Sequence, residues 1–480
     1  MRTIPELKEG THRAKASGTL PNGKPVVVNL DGTVSVVEGS DASLGSIAVF
    51  ESGRSDEITS TFDSSNNKVV IAYQDAASSN HGTAVVGTVS GTSISFGTPV
   101  VFKAGDTRFP AITFDSNSNK VVIAYRDNGN TERGTAIVGT VSGTSISFGT
   151  PVVFENNRVS QIGHEAATFD SNSNKIVIAY RDEGNSNYGT AIVGNVSGTS
   201  ISFGTKVVFE SGASNYPAIT FDSNANKVVV TYRDDPASTG NAVVGTVSGT
   251  SISFGAPVVF ASDAIDHAIT FDSNSNKVVI AYQSPDDSYY GAAIVGTVSG
   301  TSISFGTRVL FENAVTKQLS SVFDSNSNKV AVSYIDQGNG DAGKIVLGTV
   351  SGTSISFESP LEFSSDVFFE TSLAFDSNKN KLVISYNDDA NSDRGTSVVF
   401  SPASTNLTSE NYIGMSQGGS VASGSSATVD IIGSLSTNQS GLTAGQSYYV
   451  QTDGTIGETP ADPSVFAGTA ISATSLVVKT

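Results

Sequence analysis

The chain has 480 residues, with 45 acidic side chains against 27 basic ones and a formal charge of −18. That balance argues against a nucleic-acid or anionic-membrane surface, since both require clustered Lys and Arg. The absence of cysteine excludes disulfides, thiolate zinc sites and cysteine nucleophiles, while 48 glycines and only two methionines suit a turn-rich, all-β chain.

Met1–Lys15 has no apolar stretch of the signal-peptide kind, and no later run approaches the roughly 18 apolar residues of a membrane span. The expectation is therefore a protein made in the cytoplasm without a signal peptide. The first fifteen residues carry four Lys or Arg against two Glu, which suggests an anchor to an acidic subunit. Gly23–Val34 (GKPVVVNLDGTV) reads as a hairpin turning at its Asp-Gly pair, and Gly445–Ile456 (GQSYYVQTDGTI) matches it without a gap.

Between these hairpins one unit is written seven times. Its FDS phenylalanine falls at Phe62, Phe114, Phe169, Phe221, Phe271, Phe323 and Phe375, 50 to 55 residues apart. Fixed-period β units of about this length are propeller blades. In the second copy Ala111–Phe114 (segment A) precedes the turn DSNSN and Lys120–Tyr125 (B), whose continuous apolar run suits a strand buried on both faces. Thr135–Val141 (C) and Ile146–Phe154 (D) complete the unit.

There are seven A–B–C sets, but the SISF form of D occurs six times. Ser43–Phe50, ahead of the first A, supplies the missing strand and should pair with Gly395–Phe400. The expected fold is thus all-β: a seven-bladed β-propeller over 43–402, closed in its last blade by the N-terminal strand. An N-terminal anchor segment and hairpin (1–42) and a small C-terminal β domain (403–480) flank it.

The A–B and C–D turns hardly vary between copies, whereas the B–C and D–A connections vary in nearly every one. In an up-and-down blade these pairs of connections lie on opposite faces, so one face is monotonous and the other diversified. The diversified face carries Phe109, Tyr188, Tyr216, Tyr289, Tyr290, Phe368 and Phe369, with His81, His164 and His267. Aromatic rings among Asp, Asn and Ser suit sugar recognition, so these ten residues are the candidate ligand contacts.

Asp115-Ser-Asn117-Ser-Asn119 has the oxygen spacing of a calcium loop, but Lys120 follows, and neither the sharp-turn glycine nor the twelfth-position glutamate is present. Hairpin capping accounts for it, and no metal or cofactor is expected. Arg126, Arg181 and Arg233 recur before Asp127, Asp182 and Asp234, a pattern expected to form Arg–Asp ladders between blades rather than a sialidase-like carboxylate site. The tryptophan of the sialidase Asp-box is missing, as is every common nucleophile motif, so a non-enzyme is expected.

The repeat FDSNSNKVVIAYRD followed by GTAIVGTVSGTSISFGTPVVF resembles the propeller repeat of virion and tail-fibre-like proteins of marine tailed bacteriophages. The C-terminal stretch from NYIGMS through GLTAGQSYYVQTDGTIGETPADPSVFAGTAISATSLVVK is similar to a module of the same proteins. This resemblance implies a virion adhesin that binds a host-surface glycan through the variable face, with other virion subunits as partners of the flanking segments. A decoration protein without receptor binding and a polysaccharide-degrading enzyme are the alternatives.

Overall fold

The computed structural model describes residues 10–163, 165–461 and 463–479, with the side chains of Phe368 and Phe369 outside that description. No α-helix occurs among the described residues, and the chain divides into two compact units, Leu44–Ser401 and the pair Met1–Ser43 with Pro402–Thr480.

In Leu44–Ser401 every repeat is an antiparallel meander. In the second copy Phe114 pairs with Val121, Ile123 with Ile137, and Val141 with Ile146. Strand B is inaccessible over Val121–Tyr125, and the side chains of one copy's B and C strands pack on the B strand of the next. Val122, Ala124 and Ala136, for example, share a cluster with Ile176, Ile178 and Tyr180. Burial on both faces is why B shows no polar alternation.

Two corrections to the sequence reading concern segment D. It is not one strand: Ser145–Phe148 and Val152–Ser160 are separate, because Gly149 turns the chain where the next copy's C–D turn abuts it. A Cβ on Gly149 would stand 1.8 Å from the Thr199 carbonyl oxygen, and Gly45, Gly97, Gly204, Gly255 and Gly306 meet a threonine carbonyl in the same way. The sixth copy has Glu358 there, and the copy after it has no C–D turn, its C strand ending at Ser401. The D–A connection, for its part, is no loop in four copies, where it lies within single strands such as Val100–Asp115. The first half of that strand pairs with its own C strand (Val100 with Ala84) and the second half with the following B strand (Thr107 with Asp127).

The strand Ala48–Asp63 pairs with Arg394–Ser401 through Ala48–Ser397 and Val49–Thr396, and the Gly45 N–H donates to the Val399 carbonyl at 2.8 Å. The A segments pack on one another in succession, and Val367–Asp376 packs on Ala48–Asp63. In the A–B turns a buried aspartate accepts backbone N–H bonds, as Asp115 Oδ1 does from Asn117 and Ser118, both at 2.9 Å. The oxygens of DSNSN thus serve hairpin capping.

In the other unit Thr11–Lys15 pairs with Ser426–Asp430, and Pro25–Val28 pairs with Tyr412–Gln417. The second half of the basic segment is therefore sheet rather than free tail, while residues 1–9 lie outside the described residues. The two matching hairpins close identically: Thr33 and Thr455 donate N–H and O–H to Asp31 and Asp453, and the glycine after each aspartate is left-handed at φ +78° and +75°. Each hairpin joins a different sheet, and Val27, Tyr412, Tyr448 and Leu476 share one core.

Candidate functional site

Each A segment carries a bulge. Between Asp56 and Thr59 two residues face one residue of strand B, and the same register shift follows Arg108, Asn215, Ile265 and Lys317. The first bulge residue is left-handed without being glycine: Glu57, Phe109, Tyr216, Asp266 and Gln318 have φ between 48° and 54°. Gln161, at φ 49°, takes the same role in the third copy, where three extra residues, 163–165, follow the bulge. A non-glycine residue in this region is disfavoured, so something must hold each one.

What holds them is the neighbouring copy. The Glu57 carboxylate accepts the Phe109 N–H, Gln161 Oε1 accepts the Tyr216 N–H at 3.0 Å, and Asp266 accepts the Gln318 N–H at 3.4 Å. Glu370 closes the series by accepting the Ile58 N–H at 2.7 Å. The inserted Glu165 reaches across to three other copies. Its backbone carbonyl takes the Ile219 N–H at 2.8 Å, and its carboxylate takes Ile269 N–H at 2.8 Å, Ser321 N–H at 2.7 Å and Ser320 Oγ–H at 3.1 Å.

The bulges enclose a cavity of about 190 Å³ into which Phe109, Gln161, Tyr216, Asp266 and Gln318 project, with Glu165 and Glu370 also in its wall. A second cavity of about 180 Å³ lies one layer along the A strands, lined by Ser60, Ile112, Thr220, Thr270 and Ser372, and Glu165 borders both. Among the described residues no Lys or Arg lines the first cavity. The Arg126 guanidinium lies 4.8 Å from the centroid of the Phe109 ring.

His267 is the second bulge residue of its copy, where five other copies place Ile58, Pro110, Ile162, Pro217 and Leu319 and the last places Thr371. It is 7% exposed and lines the cavity, no side chain bonds either ring nitrogen, and the backbone of Ala264 and Tyr216 lies close to the ring. Its ring lies edge-on to Phe260 and Tyr216, with centroids at 5.5 and 6.3 Å. Burial lowers the imidazole from its ordinary 6.5 to about 4, with the Ala264 and Tyr216 backbone opposing weakly, so the ring is neutral at pH 7. Burial, and next the Asp266 carboxylate, raises the Tyr216 hydroxyl, which therefore stays protonated.

Of the ten residues picked from sequence, the structure brings Phe109, Tyr216 and His267 together at this cavity. His81, Tyr188 and Tyr290 begin C strands at the other end of the B–C connections, and Tyr289, 47% exposed, sits in the turn before one. His164 and the side chains of Phe368 and Phe369 are outside the described residues. Gln161, Glu165, Asp266, Gln318 and Glu370 were missed because only aromatics and histidines were singled out. Four of them stand at or beside the repeat position of Phe109 and Tyr216, so superposing the repeats would have found them.

The arginine expectation also changes. Arg126 donates to Asn128 at 2.7 Å, Arg181 donates to Asn215, and Arg233 pairs with Asp235 and Asp263 at 2.7 and 2.8 Å. Asp127 and Asp182 take Lys103 and Lys206 instead, both at 2.8 Å. Consecutive strand residues point to opposite faces, so an Arg cannot pair with the Asp that follows it. Among the described residues no group of three His, Asp or Glu side chains is arranged to hold a metal ion.

No protein-family model and no curated protein matches the chain at a significant level. Among solved structures, the BP39L lectin from Burkholderia pseudomallei aligns over 75% of this chain and 99% of its own, at 10% identity and a TM-score of 0.54. AofleA from Arthrobotrys oligospora aligns over 72% and 97% at 11% identity and a TM-score of 0.43. A Trypanosoma rangeli sialidase aligns over 81% and 58% at 11% identity and a TM-score of 0.42. The likeness to BP39L is one of fold, and the all-β repeat unit of this chain is accordingly a β-propeller.

Proposed function

We propose that Leu44–Ser401 is a seven-bladed propeller, its last blade completed by the N-terminal strand, and that it binds carbohydrate without enzymatic activity. The single observation that carries the reading is convergence. In a repeat whose turns and strands are nearly invariant, the positions that differ in chemistry from copy to copy (Phe109, Gln161, Tyr216, Asp266, Gln318) project into one cavity. Ring faces beside amide and carboxylate acceptors suit the C–H edges and hydroxyls of a sugar. A lectin on this fold provides a precedent. The cavity carboxylates accept backbone N–H bonds that hold neighbouring blades together, a framework role rather than that of an acid–nucleophile pair.

The repeat's resemblance to phage virion proteins supports placing the protein on a particle, where the flanking unit attaches it and the cavity face meets a host-surface glycan. Phe109→Ala and Tyr216→Ala should each abolish binding to immobilised host polysaccharide while Tyr289→Ala retains it. Retention by both cavity variants would refute the site. Deleting Met1–Lys15 together with Ala403–Thr480 should yield a folded propeller that no longer co-purifies with particles, and normal incorporation would refute the division of labour.

A further inference from the structure

Two features of the cavity bear on which sugars it admits. Among the described residues three carboxylates line it, those of Glu165, Asp266 and Glu370, and no Lys or Arg does. At its wall stands His267, more than nine-tenths buried in a position that is apolar in five other copies and Thr371 in the last, with no side chain bonded to either nitrogen. A buried polar group short of partners is costly and calls for an occupant that satisfies it.

We propose that the cavity takes one uncharged pyranose residue and excludes uronic, sialic and sulfated sugars, an inference that rests on reading the cavity as the glycan site. A neutral imidazole presents one donor and one acceptor. Two hydroxyls of one sugar can serve the two nitrogens, one accepting and the other donating, whereas a carboxylate or sulfate can only accept and cannot serve the acceptor nitrogen. An anionic group would also enter beside Asp266 and Glu370 in a partly desolvated space, where like charges repel more strongly than in water. The guanidinium of Arg126 is engaged over the Phe109 ring and is not among the described lining residues. An ammonium sugar would gain from the carboxylates, but it would lose its hydration to a site whose carboxylates already serve backbone donors and whose histidine needs an acceptor and a donor together. The aromatic pair Phe109 and Tyr216 supplies the remaining contact, the apolar face of the ring.

The test uses the full-length chain and saturation-transfer NMR with methyl α-glucoside, galactoside, mannoside and fucoside, set against methyl glucuronide, sialic acid and glucosamine at pH 7. At least one neutral glycoside should give saturation transfer that Tyr216→Ala abolishes and that His267→Phe weakens tenfold or more, with melting curves run to show that both variants fold. The glucuronide and sialic acid should give none. Asp266→Asn, which keeps an acceptor for the Gln318 N–H, should narrow the preference for neutral glycoside over glucuronide at least tenfold. Tyr216-dependent binding of glucuronide, sialic acid or glucosamine equal to that of the best neutral glycoside would overturn the charge inference and leave the glycan site standing. Absence of Tyr216-dependent transfer from every probe would overturn the glycan site itself, and this inference with it.

Discussion

Replacing Gly149 with alanine tests how the blades meet. The backbone there is not left-handed, so alanine adopts it without strain, and in open space the substitution would stabilise by about 0.4–1 kcal/mol through the unfolded chain. The site is not open. The new Cβ would lie 1.8 Å from the Thr199 carbonyl oxygen, where ordinary contact begins near 3.4 Å, so one blade must retreat by well over an ångström. The obstacle is backbone in a turn pinned by the Ser197–Ser200 pair, which cannot rotate away as a side chain would. Overpacking of this kind costs about 3 kcal/mol, the upper end of the usual range. With an unfolding entropy of about 2.1 cal/mol/K per residue over Leu44–Ser401, that loss lowers the melting temperature by about 4 °C. Differential scanning calorimetry of the full chain at pH 7 reads it directly. Gly45→Ala should behave alike, since its Cβ would meet the Thr92 oxygen at 1.6 Å in the blade completed by the N-terminal strand. Glu358→Ala is the internal control: with no turn against it, the change removes only a half-exposed ion pair to Lys329, under about 1 kcal/mol. A Gly149→Ala protein that melts at or above wild type, or a Glu358→Ala protein that falls as far, would refute the account of blade contact.

Three further outcomes follow from named contacts. The His267 pKa is about 4 in the fold against 6.5 unfolded, so between those values the unfolded chain binds more protons and stability falls as pH falls. Wild type should therefore lose up to about 3 kcal/mol more than His267→Phe between pH 7 and pH 4 in urea unfolding, and equal losses would exclude the titration. Glu165→Ala strands the N–H groups of Ile269 and Ser321 and the Ser320 hydroxyl and should destabilise by about 2–4 kcal/mol, with Glu165→Gln intermediate; a neutral alanine variant would show that the insertion does not brace the axis. Asp324→Ala removes the acceptor for the Asn326 and Ser327 N–H groups at 2.8 and 3.1 Å and should cost about 1–3 kcal/mol in the same assay, with a cost under about 0.5 kcal/mol counting against capping.

Local constraint repeated seven times is what the sequence determined alone. Copies of DSNSN and SGTS mark hairpins because an aspartate capping two N–H groups, or a glycine at φ near +62° as in Gly143, needs only its own neighbours. The apolar run of each B strand announces burial on both faces, and the missing seventh D strand points to pairing of Ser43–Phe50 with Gly395–Phe400, where Ala48 meets Ser397. The site was legible only in part. Phe109 and Tyr216 stood out by residue type, but their shared left-handed bulge did not, because a bulge is defined by the partner strand and by the acceptor that the adjacent blade offers. Nothing in the run Gly163–Ala166 says that Glu165 reaches three other blades, nor in Ile265–Asp272 that His267 is buried at the cavity with no side chain bonded to either nitrogen. Hydrogen bonds within a turn join residues two or three apart and are written in the local pattern. The groups at the cavity span 261 residues of chain, from Phe109 to Glu370, and only the closing of blade upon blade brings them to one cavity.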